Sequence, residues 1–97
     1  MYLLREDNHD ALAVVENPYK AIHWLWKEKW LDEKTECYDS KADSVMPLYK
    51  RMGYKTLKEA SNFNLIERYF LNMNLSKFFE EMEACGFYFE IVHVIKE

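Results

Sequence analysis

Histidine and cysteine are the side chains most typical of zinc sites and of nucleophile–base pairs, and this sequence has five of them: His9, His23, His93, Cys37 and Cys85. None of them stands at a spacing typical of a zinc site, and the cysteines do not form a CxxC pair. No nucleophile can be matched to a base from spacing alone. We therefore expect no metal, no cofactor and no catalytic residue, and we interpret the protein as a non-enzyme. An enzyme with a dispersed active site stays open as an alternative.

The composition also argues against nucleotide binding and hydrolase chemistry. Phosphate-cradling loops and nucleophile turns need glycine for backbone approach or a positive φ, and the chain has only two glycines. The acidic run at residues 6–10 lacks the central glycine and closing glutamate of an EF-hand calcium loop, so we interpret it as a turn.

Three tryptophans lie close together in the sequence: Trp24, Trp26 and Trp30. They fall within a helix that is predicted over residues 18–31, because Asn17-Pro18 is a typical helix start. At about 100° per residue, Trp26 and Trp30 share the core face and Trp24 projects from the opposite side. The residues predicted beside Trp24 are Lys20, Lys27 and Leu31. A tryptophan among lysines is typical of an interface anchor, so this side is the predicted protein-binding surface. The alternative is that another segment of the chain covers it.

A second candidate surface is the stretch 49–58, which has four positive charges, no acid and two tyrosines. Basic residues interleaved with aromatic rings suit phosphate contacts and base stacking. The nucleic-acid-binding candidates are Tyr49, Lys50, Arg51, Tyr54, Lys55 and Lys58. The alternative is a solvated helix end, since cations stabilise helix C-termini.

Glutamates in the last part of the chain form a third feature. They predict either a negative surface for a basic partner or an ordinary solvated helix face. The residues are Glu80, Glu81 and Glu83, with Glu59 and Glu67 earlier.

The remaining pattern predicts elements at both ends of a single domain over residues 1–97. Strands are expected at 2–5, 11–16 and 87–95. Because both of its faces are largely apolar, the last strand is expected in a central position or under partial cover from both sides. Residues 32–44 are expected to form a surface loop. The predicted fold class is α+β: a small antiparallel sheet, the N-terminal hairpin plus the C-terminal strand, with three to four helices packed chiefly on one face.

Helix boundaries follow from capping signals. Ser44 is expected to cap a short helix that Gly53 ends, and Thr56 begins a capping box. Residues 57–73 form either one helix or a short turn followed by a longer helix. A last helix is expected to begin at Asn74 or Ser76 and to end at Gly86.

These observations favour a cytoplasmic protein with a protein partner. No secretory signal or membrane span is predicted, and a net charge of −4 fits a protein partner better than nucleic acid. Association with a second copy stays open. In compactness, acidity and lack of motifs the chain resembles small proteins of phages and mobile elements, some of which inhibit host nucleases as anti-CRISPR proteins do. That resemblance implies a basic-surfaced host protein, such as a nuclease, as the partner.

Overall fold

A three-stranded antiparallel sheet forms the centre of the computed structural model, which describes residues 1–7 and 10–93. Its strands are β1 (Tyr2–Glu6), β2 (Ala11–Val15) and the last of five strands, β5 (Phe87–Ile91), in the order β2-β1-β5. An N-terminal hairpin and a C-terminal strand therefore share one sheet, which confirms the predicted α+β fold. The last strand ends at Ile91, so the expected continuation through Val92 and His93 was wrong. Asn8, His9 and residues 94–97 lie outside the described residues.

The central strand is β1, whereas β5 lies at an edge, so the predicted central position of the last strand was wrong. Leu4 pairs with Phe89, and both point towards the helices, where Leu4 is completely buried. Tyr88 and Glu90 point to the outer face and are exposed. The prediction failed because it included apolar residues as far as 95. Within the strand itself, the outward residues Tyr88 and Glu90 are amphipathic and charged.

The first helix starts as predicted. The side chain of Asn17 accepts a hydrogen bond from the backbone N–H of Tyr19 at 3.0 Å, and Pro18 takes the first position of a 3-10 turn, Pro18–Lys20. The turn continues into α1 (Ala21–Lys27).

The end of α1 differs from the prediction, because the helix stops at Lys27 and not near Leu31. Lys29 adopts a left-handed φ of 64°, and the N–H of Trp30 donates to the carbonyl of Leu25 at 2.8 Å. This is a Schellman-type ending in which lysine takes the place that glycine usually holds. A sequence search for glycine therefore misses it.

A second hairpin occupies much of the segment predicted as a surface loop, residues 32–44. It consists of β3 (Glu36–Asp39) and β4 (Ser44–Pro47), paired antiparallel with Cys37 opposite Met46. Cys37 is completely buried and joins the hairpin to the core. Ser44 consequently begins a strand and caps no helix.

Four short helices fill the chain between the hairpin and β5. They are α2 (Leu48–Arg51), α3 (Leu57–Ala60), α4 (Phe63–Leu71) and α5 (Leu75–Ala84). Residues 57–73 thus form a short helix followed by a longer one.

The predicted capping signals explain most of the helix ends. Thr56 accepts from the N–H of Glu59 at 3.4 Å, and Asn74 accepts from that of Lys77 at 2.9 Å. Gly53 and Gly86 have φ of 100° and 92° after α2 and α5, as expected of residues that follow a helix. The longer helix α4 is capped by Asn62, whose side chain accepts from the N–H of Asn64 at 2.9 Å.

The core lies between the inner face of the sheet and the helices. Its largest fully buried side chains are Leu4, Ile22, Leu25, Leu31, Cys37, Leu48, Ile66, Phe70, Phe78 and Met82. In the part of the chain that the structure describes, no helix has both the length and the apolar character needed to cross a membrane.

Candidate functional site

A shallow groove between α1 and α4 contains three of the four residues predicted to bind a protein. We call it the Trp24 groove; it has a volume of about 540 Å³. Its lining residues are Asn17, Tyr19, Lys20, His23, Trp24, Lys27, Glu67 and Leu71.

The two walls of the groove are fixed by contacts of the 3-10 turn and α1 with α4. The hydroxyl of Tyr19 donates to the carbonyl of Met73, just after α4, at 2.7 Å. On the other side, the ring of His23 lies 5.4 Å from the ring of Phe63, centroid to centroid. The groove is therefore a consequence of how α1 packs.

The floor of the groove is aromatic, and its rim is charged. Trp24 is half-buried and packs against the core, so only part of its ring is accessible. Lys20 and Lys27 are exposed, and Leu71 is 47% exposed. An apolar side chain from a partner can therefore contact Trp24 and Leu71 while its polar neighbours meet the lysines.

Leu31 is the fourth predicted protein-binding residue, and its placement was wrong. Because α1 ends at Lys27, the chain reverses and Leu31 turns inward, where it is 1% exposed. The tryptophans also divide differently from the prediction. Trp26 packs on Phe63, with ring centroids 5.4 Å apart, but Trp30 lies beyond the helix end and is 43% exposed.

A second concave region lies between the β3–β4 hairpin, the end of α5 and β5. We call it the Arg51 cleft; it has a volume of about 410 Å³. Its lining residues are Asp7, Tyr38, Ser40, Arg51, Glu80, Glu83, Ala84, Gly86 and Tyr88.

Arg51 is held at one side of this cleft by a bidentate ion pair with Glu81. Its Nε donates to Oε2 of Glu81 at 2.6 Å and its Nη2 donates to Oε1 at 2.8 Å, while Nη1 donates to the carbonyl of Tyr38 at 3.1 Å. The hydroxyl of Tyr69 adds a hydrogen bond to Oε2 at 2.9 Å, and Nζ of Lys77 lies 3.3 Å from Oε1. Glu81 is 3% exposed, so the expectation that it belongs to a solvated acidic face was wrong.

The contacts around Glu81 shift the pKa values of Glu81 itself and of Tyr69. Burial by itself would raise the pKa of Glu81, but hydrogen bonds from Arg51 and Tyr69 and the charge of Arg51 outweigh it and lower the pKa to about 2. Burial and the hydrogen bond to Glu81 raise the pKa of Tyr69. Glu81 is thus ionised and fully paired at neutral pH, which is the state of a structural ion pair.

The ion pair removes one residue from the predicted nucleic-acid surface. Arg51 points its guanidinium at Glu81, so it has little capacity for a phosphate. Tyr49 and Tyr54 are half-buried. The exposed members of the predicted set are Lys50, Lys55 and Lys58.

The other predicted acidic residues do not form one surface. Glu59 is the acceptor for the hydroxyl of Thr56 at 2.9 Å, and Glu67 lines the Trp24 groove. Glu80 and Glu83 are exposed on the Arg51 cleft, together with Asp7.

The structure brings together one pair of reactive side chains that spacing did not predict. Sγ of Cys37 lies 2.8 Å from Sγ of Cys85 in the interior, although 48 positions separate them in the sequence. Only the contact between the hairpin and α5 creates this pair, and the hairpin itself was not predicted. Among the described residues, no group of three or more His, Cys, Asp or Glu side chains is arranged to hold a metal ion.

Comparisons with known proteins supply no relative. No family model matches the chain, and neither a curated protein nor a solved structure matches it significantly. The two concave regions are therefore the features from which a function can be inferred.

Proposed function

We propose that this protein is a non-enzymatic protein-binding module and that the Trp24 groove is its contact surface. The observation that carries the proposal is the grouping of a half-buried tryptophan, an exposed leucine and two exposed lysines in one groove. Binding hot spots are typically aromatic anchors in partly desolvated pockets, surrounded by polar residues that exclude water.

The shape and charge of the groove favour a helical segment of a partner as its occupant. Grooves between two helices accept amphipathic helices that insert apolar side chains at one-turn intervals. Lys20 and Lys27 lie seven residues apart on the same side, so both can meet carboxylates of such a helix. We therefore propose an apolar anchor with flanking acidic residues as the element recognised by the groove.

The acidic side chains on the Arg51 cleft support a finer proposal about the same partner. Glu80, Glu83 and Asp7 face outwards there, and the whole chain has a net charge of −4. A host protein with a basic surface, such as a nuclease, would be attracted to this region, as expected for a small phage-like inhibitor. The charge reversals Glu80→Lys and Glu83→Lys should slow association with such a partner and make its rate less dependent on salt.

The first experiment uses a matched pair of exposed leucines. Leu71 lies in the groove and is 47% exposed, and Leu75 lies outside it at the start of α5 and is 39% exposed. We expect Leu71→Glu to leave the unfolding free energy within about 0.5 kcal/mol of wild type but to weaken partner binding by about 10-fold or more. Leu75→Glu should leave binding unchanged.

The measurement is quantitative capture from the source cell with tagged wild type, Leu71→Glu and Leu75→Glu, followed by affinity measurement on the purified partner. A genuine partner is depleted by Leu71→Glu alone. Equal recovery of every captured protein by all three variants would contradict a role for the groove.

Nucleic-acid binding is the competing proposal, and it now depends on the exposed Lys50, Lys55 and Lys58. Phosphate contacts make affinity fall steeply with salt. Titration of single- and double-stranded oligonucleotides at low salt, with Lys50→Glu/Lys55→Glu as the comparison, separates the two proposals. Absence of binding at low salt removes the nucleic-acid alternative.

A further inference from the structure

The buried cysteine pair has the geometry of a dithiol that is close to bonding. Cys37 is completely buried in β3, and Cys85 follows the last residue of α5 and is 5% exposed. Their sulfur atoms are 2.8 Å apart, within the sum of two sulfur van der Waals radii. A disulfide bond is about 2.05 Å long, so the two sulfur atoms must approach one another by only about 0.75 Å to bond.

The surroundings of the pair also favour thiolate chemistry on one sulfur. The hydrogen bond between the two thiols lowers the pKa of Cys37, and the nearby charge of Arg51 acts in the same direction. The same hydrogen bond, together with burial, raises the pKa of Cys85. Of the two thiols, Cys37 is therefore the one favoured as thiolate and nucleophile.

The Arg51 cleft lies beside the pair, although neither cysteine lines it. Tyr38, the neighbour of Cys37, lines the cleft, and so do Ala84 and Gly86 on either side of Cys85. The β3–β4 hairpin is a separate two-stranded sheet, and such sheets are marginally stable alone. A local opening of this hairpin would widen the cleft and expose Cys37.

We propose that Cys37 and Cys85 form a redox site in which the two thiols are converted reversibly into an intramolecular disulfide by exchange with a small organic disulfide. The site takes low-molecular-weight disulfides as its oxidising substrates and the corresponding thiols as its reductants.

The exchange proceeds in two balanced steps. The thiolate of Cys37 attacks one sulfur of the small disulfide RSSR, forms a mixed disulfide and releases RS⁻. Cys85 then loses its proton and attacks the sulfur of Cys37, which releases a second RS⁻. The protein thiols lose two hydrogens in total, and RSSR is reduced to two RSH.

The product would fasten the β3–β4 hairpin to the end of α5. A disulfide across this sequence separation restricts the unfolded chain strongly, whereas the folded structure already holds the two sulfurs together. Folding and disulfide formation therefore favour one another.

The test incubates the full-length protein with mixtures of 2-hydroxyethyl disulfide and 2-mercaptoethanol, followed by acid quenching and intact-mass measurement. The expected product is a monomer that is lighter by two hydrogens and lacks added hydroxyethylthio groups. We compare the ratio of 2-mercaptoethanol to 2-hydroxyethyl disulfide at which half of the thiol pairs are oxidised. For the folded protein this ratio should be at least about 10-fold higher than for the same chain in urea. The Tm of the oxidised form should rise by roughly 5–10 °C, the shift that corresponds to a tenfold change in equilibrium.

The matched controls are Cys85→Ser, which should stop at the mixed disulfide on Cys37, and Cys37→Ser, which should form no intramolecular disulfide. If either variant fails to fold, the comparison of folded and urea-unfolded wild type still decides the question. Mixed disulfides or intermolecular dimers as the main product of the folded protein, or equal oxidation of the folded and unfolded chains, would overturn the proposal.

Discussion

The Trp24 groove and the Arg51 cleft are similar in size but differ in what their polar groups do. In the cleft, the guanidinium of Arg51 binds Glu81. That carboxylate accepts two hydrogen bonds from Arg51 and one from Tyr69, and it has almost no contact with water. In the groove, Lys20 and Lys27 lie exposed on the rim around an aromatic floor. The lowered pKa of Glu81 therefore marks a contact that supports the fold, so a shifted pKa alone does not identify a binding site in this protein.

The largest expected effect is on the ion pair of the cleft. Arg51→Ala leaves Glu81 buried without its main partner, so we expect the unfolding free energy to fall by about 3–5 kcal/mol. Urea denaturation measures this loss. Lys77→Ala removes only the half-exposed second cation and should cost less than about 1 kcal/mol. A loss as small for Arg51→Ala as for Lys77→Ala would show that the ion pair supports little of the fold.

The same pair should make stability depend on acid. Because the pKa of Glu81 is lowered from 4.5 to about 2, its contribution is complete above pH 4.5 and is lost as the pH falls towards 2. Between pH 5 and pH 2 we expect wild type to lose about 3 kcal/mol more than Glu81→Gln, which cannot titrate. Denaturation curves across this range check the difference, and parallel curves for the two proteins would disprove the assignment.

The smallest expected effect concerns the tryptophans. Trp24 packs partly against the core, so Trp24→Ala should cost about 2 kcal/mol, less than a fully buried tryptophan. Trp30 is exposed beyond the helix end, and Trp30→Ala should cost less than about 1 kcal/mol. Thermal unfolding of both variants gives the comparison. If Trp24→Ala is as mild as Trp30→Ala, the floor of the groove is not part of the core.

Local sequence signals determined the caps and the sheet of this protein. Asn17, Thr56 and Asn74 carry side chains that bond to nearby backbone N–H groups, and such short-range bonds depend little on the rest of the chain. The strand pattern at both ends was likewise sufficient to predict one α+β sheet.

Only the tertiary structure decided which candidate side chains lie at the surface and which lie in the interior. Lys29 ends α1 in a conformation that glycine usually adopts, and this turned Leu31 inward and Trp30 outward. The pairing of Cys37 with Cys85 required a hairpin that has no apolar periodicity in sequence. The physical reason is that periodicity reports one element at a time, whereas a buried pair or a groove depends on the packing of distant elements against one another.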